Sequence, residues 1–262
     1  MITRADAIDQ VFPAAVFIGA LFVWEGVVRY YQIPPFLLPA PSAVIITLFR
    51  DWSTLSGSLW VTLVIMAKAL AASVVGSVAL AILFAQSRLI ERAFYPFAVA
   101  LQVTPIVSIA PLLLVYLTGP VAVLVCAFLV SFFPLLANTT LGLSSADQNL
   151  VDLFRLYRAS RAQELWLLRL PSALPYFLAG LRISGGLALI GAIVAEIAAG
   201  TAGKSAGLAY RIVESGFRLN IPRMFAALLL VALVGIAIHL ALTALSYWLL
   251  HDWHESARSG EN

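Results

Sequence analysis

The sequence predicts an all-α fold: one polytopic membrane bundle of about six transmembrane helices. Three observations predict it. Of 262 residues, 62% are hydrophobic and 11% charged, against about 45–50% apolar and about 25% charged in an ordinary soluble domain. The mean hydropathy is +0.97. Six stretches each approach the roughly 20 apolar residues that a helix needs to cross a bilayer. A water-soluble chain of this size has too little interior to hide so much apolar surface. The 16 basic and 13 acidic residues leave a net charge of +3, too small for a nucleic-acid-binding surface. Cys126 is the single cysteine, so an internal disulfide or a cysteine-based metal cluster is excluded.

The stretches run from about Val11 to Val28, Ala69 to Ala85, Phe94 to Leu117, Val121 to Leu143, Tyr176 to Ala199 and Met224 to Leu250. The first follows Asp6 and Asp9 beside Arg4 rather than a clearly basic lead-in, so it reads as a retained helix. Within it Glu25 and Arg29 are spaced for an ion pair. After it, Pro34, Pro35, Pro39 and Pro41 forbid regular helix and predict an extended crossing of the membrane surface. Ala43 to Ala67 reads as an interfacial helix leading into the second span. Lys68 would cost about 2.5–3.5 kcal/mol at a helix centre, so it is expected near a membrane face, reaching for water.

The third span contains Pro105 and Pro111, which each remove a helix hydrogen bond and kink the path. Such kinks turn carbonyls toward a cavity, and Gln102, Thr104 and Ser108 bring polar groups to the same region. The fifth span carries Gly180, Ser184, Ala188 and Ala192 at four-residue spacing, with Gly185, Gly186 and Gly191. Such rows let helices approach closely, and this row drifts around the helix toward more than one neighbour. Glu196 is a candidate buried acid on a solute path; the competing reading pairs it with a base such as Arg211 or Lys204. Arg182 is expected to reach for water or the inner loop, and His239 to be a hydrogen-bonded packing residue.

Two connections are long: Ser144 to Pro175, and Gly200 to Arg223. Ser145 with Gln148 and Ser160 with Gln163 have capping-box spacing, which predicts two short helices meeting at a corner after Ala159. The second is expected to end before Pro171. Leu150, Leu153, Phe154 and Tyr157 share one face, while Asp152, Arg155 and Arg158 lie elsewhere on the surface. Such a corner either docks another protein or packs beneath the bundle.

The run from Asp152 to Pro175, DLFRLYRASRAQELWLLRLPSALP, resembles the EAA loop of ABC importer permeases. The following YFLAGLRISGGLALIGAIVAEIAAG is similar to the nitrate/sulfonate/taurine branch, which includes permeases for thiamine-precursor pyrimidines and riboflavin. The resemblance extends to Leu38–Ser42 (LPAPS), Ser87–Arg92, Ala159-Ser160, Leu170-Pro171, Gly180-Leu181-Arg182 and Ala195-Glu196, so it covers nearly the whole chain. Two departures stand out: the family's Glu-Ala-Ala is Asp152-Leu153-Phe154 here, and its usual glycine is Arg158.

The resemblance implies a type I importer permease (MetI-like) fold as a single domain over residues 1–262, its core at about 57–250. Residues 144–175 would form a cytoplasmic loop coupled to a separate ATPase through Asp152, Leu153, Phe154, Arg155, Arg158 and Ser160. It further implies a homodimer in the cell inner membrane, two ATPase subunits inside, and a periplasmic or lipid-anchored solute-binding protein outside. The Gly200–Arg223 connection is a candidate docking surface for that binding protein. Both termini are expected in the cytoplasm; the Lys/Arg bias of the loops votes only weakly for this orientation. The translocation path is assigned to Gln102, Thr104, Pro105, Ser108 and Glu196. Several relatives carry arginine where Gln102 stands, and an uncharged amide there points to a neutral heteroaromatic solute over an anion.

Ala198 to Ser205 reads AAGTAGKS, a relaxed phosphate-loop pattern, but it follows a membrane span and lacks the required preceding strand. A glycine-rich turn at a helix end explains it better. No nucleophile–base pair or metal cluster supports an intramembrane enzyme. A stand-alone secondary transporter would be expected to show internal repeats and broken helices, and no repeat is evident.

Overall fold

The computed structural model describes residues 4–200 and 206–251. Among them the chain forms helices and connections, with no strand. Helix α1 spans Arg4–Tyr30, α2 Pro41–Arg50 and α3 Trp52–Gln86. Then come α4 (Arg88–Val103), α5 (Ile106–Tyr116), α6 (Gly119–Ser144), α7 (Gln148–Leu156) and α8 (Arg161–Glu164). A π-helical turn, Leu165–Arg169, leads into α9 (Leu170–Ala199), followed by α10 (Leu208–Phe217) and α11 (Ile221–Leu250). Four continuous helical stretches are long and apolar enough to cross a membrane: Trp52–Gln86, Gly119–Ser144, Arg161–Ala199 and Ile221–Leu250. The α4–α5 pair makes a fifth if the two, bent by 99°, count as one span.

The anticipated interfacial helix and second span are one element. No proline interrupts Trp52–Gln86, so the 35 residues run unbroken, and the break falls instead at Asp51, between α2 and α3. Lys68 consequently sits at the middle of α3, exposed on this chain, and not near a face. The third span is broken rather than kinked. Thr104 and Pro105 leave the helix altogether, while Pro111 is accommodated inside α5. The pair Glu25–Arg29 forms at 2.6 Å. Glu25 also accepts the backbone N–H of Ser42 at 3.0 Å and its hydroxyl at 2.8 Å, pinning the proline-rich crossing to α1.

The core lies where α6 and α9 pack along their whole length. A methyl group added at Gly191 would come within 2.9 Å of the Ala127 Cα, and one at Gly180 within 2.7 Å of the Asn138 Cβ. Glycine at these two positions is therefore what lets the helices touch. Gly185 meets Leu242 of α11 instead, so the small-residue row does serve two neighbours. Helix α3 closes the third side with buried Ser58, Thr62, Met66, Ala69, Ser73, Ser77 and Ala81 at helical spacing, and Ser73 meets Ser131 of α6 at 2.7 Å.

The helix that starts at Arg161 does not end before Pro171. The turn widens at Leu165–Arg169, where the N–H of Leu170 reaches back five residues to Leu165. Such a turn absorbs the proline's missing donor and bulk. Helix therefore runs from Arg161 to Ala199, 39 residues. Thr201 to Ser205, most of the phosphate-loop-like motif, lies outside the described residues, as does Lys204.

Candidate functional site

The corner between α7 and α8 is held at every joint. Asp147 accepts from the Asn149 N–H at 2.8 Å to start α7. Ser145 instead ends α6, its hydroxyl donating to the Gly142 carbonyl at 2.8 Å, so no capping box forms with Gln148. At the far end the N–H of Arg158 donates to Arg155 (3.0 Å) and that of Ala159 to Phe154 (2.9 Å), the two bonds of a Schellman cap. Arg158 carries this turn with φ +53°, the left-handed region that favours glycine. Then α8 opens with the expected box: Ser160 N–H to Gln163 Oε1 at 2.8 Å, and Gln163 N–H to Ser160 Oγ at 3.3 Å.

All six coupling candidates sit on this corner. Asp152 accepts from Gln148 and from Arg155, each at 3.2 Å. With both side chains more than half exposed, the ion pair contributes little to stability. Val151 is the buried anchor of α7. Leu150, Leu153, Leu156 and Tyr157 are exposed, Phe154 is half-buried, and Arg158 and Ser160 are exposed. The corner thus combines a fixed backbone with an uncovered apolar face. That combination suits a surface made to be gripped.

Of the five path candidates, the structure brings three together. Gln102, Thr104 and Pro105 line a cavity of about 370 Å³ between the α4–α5 break and α6, walled by Ile109, Val130, Phe133 and Leu187. Thr104 spends its hydroxyl on the Ala100 carbonyl at 2.8 Å. Among the described residues the Gln102 amide has no hydrogen-bond partner, so both its donor and its acceptor are unengaged. Ser108 is exposed on α5 away from this cavity.

Glu196 is elsewhere and is engaged. It is 2% exposed, accepts the Thr62 hydroxyl at 2.8 Å and accepts the Ala209 N–H at 3.1 Å. Thr62 in turn accepts from the Leu208 N–H at 2.9 Å. The Glu196 carboxyl group thereby anchors the first turn of α10, whose N–H groups have no partner within the helix. Arg211 does not pair with it; that guanidinium binds Glu214 at 2.7 Å and Ser58 at 3.0 Å. Sequence reasoning missed Thr62, although Ser58 with Thr62 and Ser73 with Ser77, two hydroxyl pairs at four-residue spacing on one face of α3, signal a buried polar seam. Arg182 and His239 are both exposed, and neither has a partner among the described residues; the packing role expected for His239 is not seen.

The described chain is thus a helical bundle with a broken span, a cavity at the break lined by no charged residue, and a capped corner. The sequence model described as the binding-protein-dependent transport system inner membrane component matches residues 72–251, and the chain belongs to this family. It is similar to the formylaminopyrimidine transport permease protein of Halalkalibacterium halodurans, 34% identical over 86% of this chain and 88% of the relative. It is also similar to the riboflavin transport system permease protein of Chloroflexus aurantiacus, 32% identical over 90% and 87%. The taurine transport system permease protein of Escherichia coli is 27% identical over 89% and 86%. The chain is a permease component of an ABC transporter for binding-protein-dependent transport, resident in the inner membrane.

Proposed function

We propose that this permease imports a neutral heteroaromatic solute, of the pyrimidine-precursor or flavin kind, in a homodimer served by two separate ATPase subunits and an extracytoplasmic solute-binding protein. The observation that carries the solute class is the cavity at the α4–α5 break. Its one unengaged polar side chain is the Gln102 amide, and the rest of its wall is apolar apart from Thr104. A flat heteroaromatic buries its faces on such a wall and uses one amide for orientation. The likeness to the formylaminopyrimidine and riboflavin permeases supports the same reading.

The corner of Asp152, Leu153, Phe154, Arg155, Arg158 and Ser160 receives the ATPase, both termini lie on the same side as that corner, and ATP-driven closure is passed to the membrane spans. A capped corner transmits displacement that a loose loop would absorb. Residues 144–175 serve as this coupling segment within a single permease domain. A second reading, an anion of the nitrate, sulfonate or taurine kind, rests on the likeness to the taurine permease.

Ligand identification on the solute-binding protein that serves this permease tests the solute. A pyrimidine or flavin is expected, and a bound sulfonate or nitrate overturns the solute class. Vesicles holding the permease with its ATPase should accumulate cargo only with ATP. Accumulation by the permease alone on an ion gradient would overturn the transport mechanism.

A further inference from the structure

Four arginines from four segments open onto one cavity of about 770 Å³ beside the corner: Arg92 of α4, Arg155 of α7, Arg161 of α8 and Arg169 of the π turn. A smaller pocket of about 190 Å³ continues it, sharing Arg155, Arg161 and Arg169 and adding Glu164. Two of the four are engaged. Arg155 is held by Asp152 at 3.2 Å, and Arg169 by Glu164 at 2.6 Å and by the Leu143 carbonyl at 3.2 Å. Arg92 and Arg161 have neither an acidic partner nor a hydrogen bond among the described residues. Glu91 also lines the cavity but pairs with neither. Arg92 and Arg161 are exposed on this chain, so their guanidinium groups stand open to an incoming anion.

The rest of the wall is of another kind. Phe84, Tyr95, Pro96 and Leu143 form an apolar side. Thr140 lies in the same wall with a buried hydroxyl that lacks a partner. Helix α4, which supplies Arg92, exposes Leu89, Phe94 and Phe97 elsewhere on its surface. A cationic pocket with an apolar side, on a helix bearing exposed apolar groups, has the amphipathic character of a lipid headgroup region. Arginine forks match phosphate oxygens bidentately.

We propose that this cavity binds a phosphate-bearing anion, and that the anion is the headgroup of an acidic phospholipid from the leaflet on the corner's side. Arg92 and Arg161 supply the open donors, and the bound phosphate ties α4 to α8, fixing the corner to the membrane bundle. The inference rests on the chain being a membrane bundle and is independent of the solute.

Native mass spectrometry of the full-length chain, purified in detergent with phosphatidylglycerol or phosphatidylcholine added, tests it. Phosphatidylglycerol is expected to stay bound and phosphatidylcholine to be lost. The double variant R92Q/R161Q should lower phosphatidylglycerol retention roughly tenfold or more, as expected for losing two charge-assisted contacts. If that variant does not fold, R161K keeps the charge but loses the fork, and should lower retention severalfold. Equal retention by the wild type and the variant that folds overturns the proposal. Equal retention with lost co-purification of the ATPase overturns it in favour of a protein-docking role. Binding of inorganic phosphate without preference for phosphatidylglycerol keeps the anion site and overturns its lipid source.

Discussion

The backbone N–H of Ala159 donates to the carbonyl of Phe154 at 2.9 Å, and this bond turns the chain from α7 into α8. The residue it encloses, Arg158, adopts φ +53°, which costs a residue with a Cβ about 1–2 kcal/mol. Replacing it by glycine, Arg158→Gly, should relieve that cost. Hydrogen exchange at the Ala159 amide is expected to slow severalfold. Arg158→Val should speed it, since a β-branched side chain tolerates this conformation least. Unchanged exchange in both would mean that the corner is not limited by this turn.

A second expectation concerns grip. Replacing Asp152 and Arg155 together by alanine removes a surface ion pair and the exposed Gln148 hydrogen bond from the chain itself, so stability in detergent should change by less than about 1 kcal/mol. Co-purification of the ATPase should nevertheless fall. Retained co-purification with full transport would remove these residues from the coupling surface.

Glu196 carries a third. Glu196→Ala leaves the Ala209 N–H and the Thr62 hydroxyl without their acceptor in a buried place, a loss on the order of 2–4 kcal/mol. A lowered melting temperature and faster proteolysis between α9 and α10 are expected. Gly207→Ala should reproduce the effect with Glu196 intact, because the added methyl would collide with its carboxylate. Normal stability with lost transport in Glu196→Ala would instead return this acid to the solute path.

The close approach of α6 and α9 gives a fourth. Gly191→Val must push against the Ala127 backbone, an overpacking cost of about 1–3 kcal/mol or more. Gly186→Ala, with open space around it, should be tolerated. Thermal unfolding of the two purified variants separates them.

Gln102 supplies the last. Gln102→Leu keeps the volume of the cavity lining but removes its unengaged amide. Uptake should drop at least tenfold, while ATPase activity without solute stays as in the wild type. Equal uptake would place solute recognition elsewhere.

Much of this fold is written in its apolar runs, because a helix that crosses lipid must satisfy its own backbone. The corner was equally legible at Ser160 and Gln163, whose spacing encodes a local bond. Ser145 misled for the same local reason: its hydroxyl had a nearer acceptor in the Gly142 carbonyl. Pro171 misled differently, since sequence marks the missing donor but not the widened turn at Leu165–Arg169 that absorbs it. The site of Glu196 was half visible. Its burial could be expected, yet its partners Thr62 and Ala209 come from elements 134 and 13 residues away, and such pairing is fixed by packing rather than by any local pattern. The two-sided role of the α9 glycines could be read because helical drift is a periodic property.

The unbroken 39-residue helix from Arg161 to Ala199 makes a rod about 58 Å long at 1.5 Å per residue. Its lower tip is the capped corner, and near its upper tip Glu196 grips α10. A tilt of roughly 5° about one end carries the other about 5 Å sideways over that length, with the wide turn at Leu165–Arg169 and Pro175 as the places to bend in between. Under the proposed coupling role, a push received at the corner would be carried along one continuous helix to the α10 end.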